Sequence, residues 1–352
     1  MCVVLGRNLV HSVSGPPGFQ GSRGAMKPLS LKGHDRALTR VRINRDGDLL
    51  FSAGKDKSPC VWYMENGERI GTYDGHNGVI WDIDVSWDTR HFCSASGDVF
   101  VKLWNCETGD VINSISTPTA ARSISLSYSG NLIAFTTIKM TQNVASLCVY
   151  DIRDGSQMSG ENQPTFRKSL QTQANSCVWT HLDDTVCVGN EKGNVHQYDI
   201  RKGDDIVNFN DEAHKFQIND MQMSIDESFL ITASKDKTAR LFDARTLDCL
   251  KIYKAERPVN SAAISPIRDH VILGGGEEAM KVTQTTAASG HFEAKLYHLV
   301  FEEEFARFKG HFGPINTLAF HPGGNCVVSG GEDGYVRIQE FDADYLKFDY
   351  DF

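Results

Sequence analysis

The stretch TASKDKTARLFD (Thr232 to Asp243) decides the fold, because three near copies of it occur elsewhere in the chain. FSAGKDKSPCVW at 51–62, CSASGDVFVKLW at 93–104 and SGGEDGYVRIQE at 329–340 share its small residues, its Asp and its apolar alternation. Upstream of each copy stands a histidine, in the pairs Gly33-His34, Gly75-His76, Ala213-His214 and Gly310-His311. Each His is followed 22 residues later by Asp56, Asp98, Asp236 or Asp333, and 6 residues beyond each Asp comes Trp62, Trp104, Phe242 or Gln339. Chance does not place one three-point spacing four times.

Weaker copies fill the gaps, ending at Tyr150, Tyr198 and Tyr297. The seven end positions are 62, 104, 150, 198, 242, 297 and 339, separated by 42, 46, 48, 44, 55 and 42 residues. A period of roughly 40–45 residues, with Gly-His early and Trp-Asp late, is the WD-repeat pattern of four strands per propeller blade. Alternation in Val99 to Trp104 and Tyr335 to Ile338 supports strands. Turn residues such as Asp46-Gly47-Asp48 and Pro322-Gly323-Gly324 punctuate them. The expected fold is all-β, a seven-bladed WD40 propeller over residues 26–341. A ring must close or expose sheet edges, and the segment Lys27 to Leu31 is placed to supply the outer strand of the last blade.

Bulk properties narrow the function. At 352 residues with 40% hydrophobic and 23% charged residues, the chain can bury a large core. No apolar run reaches the roughly 18 residues of a membrane helix, so no membrane insertion is expected. The net charge of −9 argues against broad phosphate binding and direct DNA contact. Nine scattered cysteines without a C-x-x-C pair suit free thiols in a reducing, cytoplasmic setting rather than disulfides or a metal centre. Residues 1–25 are read as a disordered extension, Gly-, Ser- and Pro-rich from Ser12 to Ala25. Residues 342–352 are read as a tail, whose YLKFDYDF text suits an edge strand.

The polar constellation invites a catalytic reading, with His34, Ser52 and Asp56 as a nucleophilic triad. The same set recurs as His76, Ser94, Asp98, as His214, Thr232, Asp236 and as His311, Ser329, Asp333. A catalyst needs one assembled site, not four, so these residues, with Trp62 and Trp104, are expected to hold blade shape. No catalytic residue, metal or cofactor is expected. Three repeats lack the Asp: Val144, Lys192 and His291 take its place, the last after an insertion from about Glu277 to Gly290. Gly274-Gly275-Gly276-Glu277-Glu278 lacks the Lys-Ser/Thr of a phosphate loop and suits a tight connection between strands. Function is expected on the surface. If Phe242 is buried, alternation turns Leu241 and Asp243 outward, a pair suited to a helix with apolar and basic residues. Phe301-Glu302-Glu303-Glu304-Phe305 is a second acidic–aromatic candidate, against a plain solvated connector.

From Met26 to Phe352 the text resembles a known family. MKPLSLKGHDRALT at 26–39, NGERIGTYDGH at 66–76, ASKDKTARLFD at 233–243 and ERPVNSAAISP at 256–266 are similar to the WD-repeat subunit i of eukaryotic translation initiation factor 3. GGGEEAMKVT at 274–283, FEEEFARFKGHFGPIN at 301–316 and SGGEDGYVRI at 329–338 carry the likeness further. The resemblance implies a non-catalytic scaffold, monomeric within a hetero-oligomer, that binds a helix of subunit b and also subunit g. It implies a role in small-ribosomal-subunit recruitment within the 43S pre-initiation complex, in scanning and in start-codon selection. Carried over by position, Leu241, Asp243 and Glu277 would meet the subunit b helix on the fifth and sixth blades; the family usually has Gln at position 277. An adaptor for a membrane receptor kinase is the alternative. An RNA-binding propeller is disfavoured by the charge, and a hydrolase by the repetition of its only triad-like residues.

Overall fold

Runs of period two, cut by Gly, Asp and Ser turns, become seven four-stranded antiparallel sheets arranged as a β-propeller. The computed structural model describes residues 28–140, 142–158, 163–180, 182–203, 206–276, 292–342 and 345. Blades one to seven occupy residues 38–72, 80–116, 121–169, 174–210, 218–254, 259–309 and 315–340. In blades one to six the four strands pair in chain order, from the inner strand outward. The seventh takes its outer strand, Leu29–Lys32, from the N-terminal side of the chain. Its register is Leu29 to Ile338, Ser30 to Arg337, Leu31 to Val336 and Lys32 to Tyr335. The ring therefore closes as the repeat predicts, with the strand beginning at Leu29. One short helix, Gly155–Met158, is the exception to all-β structure among the described residues.

All seven end positions of the repeat fall in the third strand of a blade: Trp62, Trp104, Tyr150, Tyr198, Phe242, Tyr297 and Gln339. Each blade presents one face to the blade before it and one to the blade after it, so burial falls between sheets. Seven apolar clusters match the seven junctions. One joins Phe51 and Val61 of the first blade to Ile83 and Trp104 of the second. Another joins Leu38 and Trp62 of the first blade to Val336 and Ile338 of the seventh.

The described cysteines are free, and six of the eight are buried. Burial pushes the thiols of Cys177, Cys187 and Cys326 up to about 12, so they stay protonated and pack as small apolar groups. Cys2 and the rest of residues 1–25 lie outside the described residues. Of the tail, Asp342 and Tyr345 are described. Tyr345 stacks on Phe341 at 3.9 Å between ring centres, and its hydroxyl lies 2.9 Å from His270 Nδ1.

Candidate docking site

The four polar sets each tie one blade to itself. In blade two, His76 Nδ1 lies 2.8 Å from Asp98 and Nε2 2.7 Å from Ser94 Oγ, which also accepts the Trp104 indole N–H at 2.8 Å. Blade one repeats this with His34, Asp56, Ser52 and Trp62 at 2.7, 2.8 and 2.9 Å. His214 bonds Asp236 and Thr232, and His311 bonds Asp333 and Ser329, without an indole. The chain thus carries the loop before the inner strand back to the second and third strands, and each buried imidazole is satisfied twice.

The charge states of the four histidines differ. Burial holds His76, His214 and His311 below the ordinary histidine range, against the pull of their aspartates. Lys102, Arg240 and Arg337 add like-charge repulsion there. In blade one the corresponding third-strand residue is Cys60. Burial is again the largest influence on His34, but Asp56 and Cys60 outweigh it and raise the imidazole to about 9.

Leu241 does not face outward. It is 1% exposed and packs with Ile231, Val259 and Leu273 in the junction between blades five and six. Phe242, 0% exposed, packs toward blade four against Cys187 and Met221. Alternation in a middle strand separates two blade junctions, not core from solvent, so Leu241 and Phe242 are both buried. Asp243 is half-buried, and its Oδ1 accepts the backbone N–H groups of Arg245 and Thr246 at 2.8 and 3.1 Å. Asn105 accepts two N–H groups in the matching turn of blade two, so one oxygen of Asp243 has a turn-forming task. Glu277 and His291 lie outside the described residues. In the FEEEF segment, Glu304 pairs with Arg307 and Lys295, and Glu302 approaches Lys251 at 3.7 Å. Much of its charge is met within the chain.

Asp243 does line a groove of ≈ 1030 Å³ on the face formed by the turns between first and second strands and between third and fourth strands. Trp87, Tyr128, Leu182 and Ile225 form its apolar side, all 37% exposed or more. Arg45 stacks on Trp87 at 4.0 Å, and Trp87 meets Tyr128 at 4.6 Å. Asp184, Asp199, Asp226, Glu227 and Asp243 line it with Arg201 and Arg245, five carboxylates to two guanidiniums, Arg201 pairing with Asp184 at 2.8 Å. Hydrogen bonds from Ser224 and Ser228 hold the Asp226 carboxyl below the usual range, so it stays ionised. The sequence reading missed these turn residues. Their signal was an apolar residue in the middle of a polar turn, as in Ser86-Trp87-Asp88, Ser127-Tyr128-Ser129 and Ser224-Ile225-Asp226.

The family model described as EIF3I matches residues 26–351. The chain belongs to the family of eukaryotic translation initiation factor 3 subunit I. A Brugia malayi protein named eukaryotic translation initiation factor 3 subunit I is 98% identical over 327 residues, which are 93% of this chain and 100% of that protein. Proteins of the same name from Caenorhabditis elegans and Drosophila melanogaster are 59% and 50% identical, covering 93% and 92% of this chain and 100% and 99% of their own. Membership in the subunit I family places the chain in translation initiation. Among the described residues no helix is long and apolar enough to cross a membrane, and no group of three His, Cys, Asp or Glu is placed to hold a metal ion.

Proposed function

We propose that this propeller is a non-catalytic, cytoplasmic scaffold of initiation factor 3. It docks subunits b and g and so supports small-ribosomal-subunit recruitment, scanning and start-codon selection. The observation that carries the reading is the groove beside Asp243, lined by exposed aromatic and aliphatic residues together with an excess of carboxylates. That combination favours an amphipathic helix with apolar anchors and basic flanks, the chemistry expected of the subunit b segment. Leu241 has no part in the surface, because it is sealed between blades.

Asp243 both caps a turn and contributes charge, so two substitutions separate the tasks. Asp243→Asn keeps an oxygen for the Arg245 and Thr246 N–H groups and removes the charge; Asp226→Lys reverses charge across the same groove. Each is expected to weaken capture of subunit b from cytosol by about tenfold or more, Asp243→Asn with the thermal melt unchanged and Asp226→Lys with at most the local loss of its turn hydrogen bonds. Undiminished capture by both would refute the groove as the docking site. An eluate of receptor kinases lacking subunits b and g would refute the scaffold reading itself.

A further inference from the structure

The opposite mouth of the central channel carries a second feature, laid out by the repeat. The inner strand of every blade has a bulge at its second residue. Thr39, Trp81, Arg122, Asn175, Asn219, Asn260 and Asn316 occupy that position in blades one to seven, and all seven line one cavity of ≈ 460 Å³. Five of them clasp the next blade. Thr39 donates to Ile80 O at 2.8 Å, Asn175 to Ile218 O at 3.4 Å and Asn219 to Val259 O at 2.9 Å. Asn260 donates to Ile315 O at 3.0 Å, and Asn316 to Leu38 O at 2.9 Å. Two adjacent positions break the belt. Trp81 and Arg122 stack on one another at 4.4 Å instead of clasping the following blades.

The cavity's cations are unequally partnered. Arg40 pairs with Asp82 and Asp220, and Lys55 with Glu332 at 3.0 Å. Arg122 has no hydrogen bond or ion pair among the described residues, although the field of Asp82 reaches it and burial presses its pKa down. Beside it on the next blade, the buried Ser176 hydroxyl lacks a hydrogen-bond partner. A half-buried guanidinium and a buried hydroxyl, each without an acceptor, are costly features for a fold to keep.

We infer that the broken part of the belt, Trp81, Arg122 and Ser176, is a receptor for a single carboxylate presented by a polypeptide. Arg122 offers its planar fork over the Trp81 ring, and Ser176 offers one further donor. The formal charges lining the cavity are three positive (Arg40, Lys55, Arg122) and three negative (Asp82, Asp220, Glu332). That balance admits one negative charge more readily than the two of a phosphate. The carboxylate can come from an acidic side chain or a chain terminus, since both present the same two oxygens.

The test uses the full chain with ¹⁵N-labelled tryptophan, the Trp81 indole signal being identified by its loss in Trp81→Phe. Two peptides are titrated: acetyl-Gly-Gly with a free C-terminus, and acetyl-Gly-Glu-Gly-amide. A saturable shift of the Trp81 signal with either supports the site, and the stronger of the two names the source. Ser176→Ala is expected to weaken binding about tenfold, as for one hydrogen bond to a charged group, and Arg122→Gln to abolish it. Arg122→Lys, which keeps the charge but not the fork, serves if Arg122→Gln fails to fold and is expected to bind at least tenfold more weakly. No saturable shift with either peptide, an equal response to acetyl-Gly-Gly-amide, or a response only to inorganic phosphate overturns the assignment.

Discussion

Blades two and four solve one packing problem with opposite chemistry. In blade two, His76 stands four residues before the inner strand, Ser94 is fourth in the second strand, and Trp104 is fifth in the third. The same places in blade four hold Leu170, Val188 and Tyr198, with Lys192 where Asp98 stands in blade two. The polar set is bound by hydrogen bonds within its blade. Leu170, Val188 and Tyr198 belong instead to the apolar cluster between blades three and four, with Phe166 and Trp179. A blade needs those sites filled and satisfied; the fold does not require that they be filled with the same chemistry.

The closing strand tests what both kinds of blade depend on. Removing residues 26–32 uncovers the Tyr335–Glu340 edge and deletes Leu31, which is 5% exposed. The loss of one buried Leu and a four-residue ladder amounts to about 5 kcal/mol, or roughly 10 °C in Tm. Removing residues 1–25 is expected to leave the melt unchanged. Equal melts for the two truncations would show that ring closure contributes nothing to stability.

Exchanging residues between the two blades comes next. Ser94→Val strands His76 Nε2 and the Trp104 N–H without partners in a buried site, at a cost of about 3 kcal/mol. The reverse change, Val188→Ser, buries a hydroxyl among Leu170, Tyr198 and Trp179 and leaves a small void, costing about 2 kcal/mol. Urea denaturation measures both. If either exchange costs under about 0.5 kcal/mol, the two chemistries are interchangeable one residue at a time, and the blades are less committed than their packing implies.

The contrast also explains what was legible. Polar networks require particular residue types at particular spacings, so blades one, two, five and seven could be read from the His–Asp spacing, with Trp added in blades one and two. Apolar filling accepts many residues: Phe135, Val188 and Leu273 stand at the Ser94 position in blades three, four and six, and no spacing rule marks them. Only the third-strand tyrosines betrayed those blades. Leu241 misled for a related reason, because alternation says which residues share a face and not whether that face meets water. The docking groove was hidden further still, since it joins turns from residues 87 to 245 that become neighbours only once the ring has formed.

Acid separates the two blades most finely. His76, His214 and His311 sit below the ordinary value in the folded protein, mainly through burial. As pH falls through about 6.5, the unfolded chain takes up protons that these three refuse, so the stability they contribute is lost toward acid. Asp98, Asp236 and Asp333, also held low, add a further loss below about pH 4. His34 has the opposite sign: raised to about 9, its contribution is complete below pH 6.5 and fades as pH rises through 9. Blade four has no such group at these positions. Hydrogen exchange, corrected for intrinsic rates, should therefore show the amides of His91–Ser96 losing protection between pH 7 and 5.5. Those of Thr185–Asn190 should hold theirs, because blades open partly as units. Replacing His76 by Gln should cost blade two protection at pH 7 and make what remains insensitive to pH. Equal acid loss in both blades would locate the acid sensitivity in the ring as a whole, not in the polar networks.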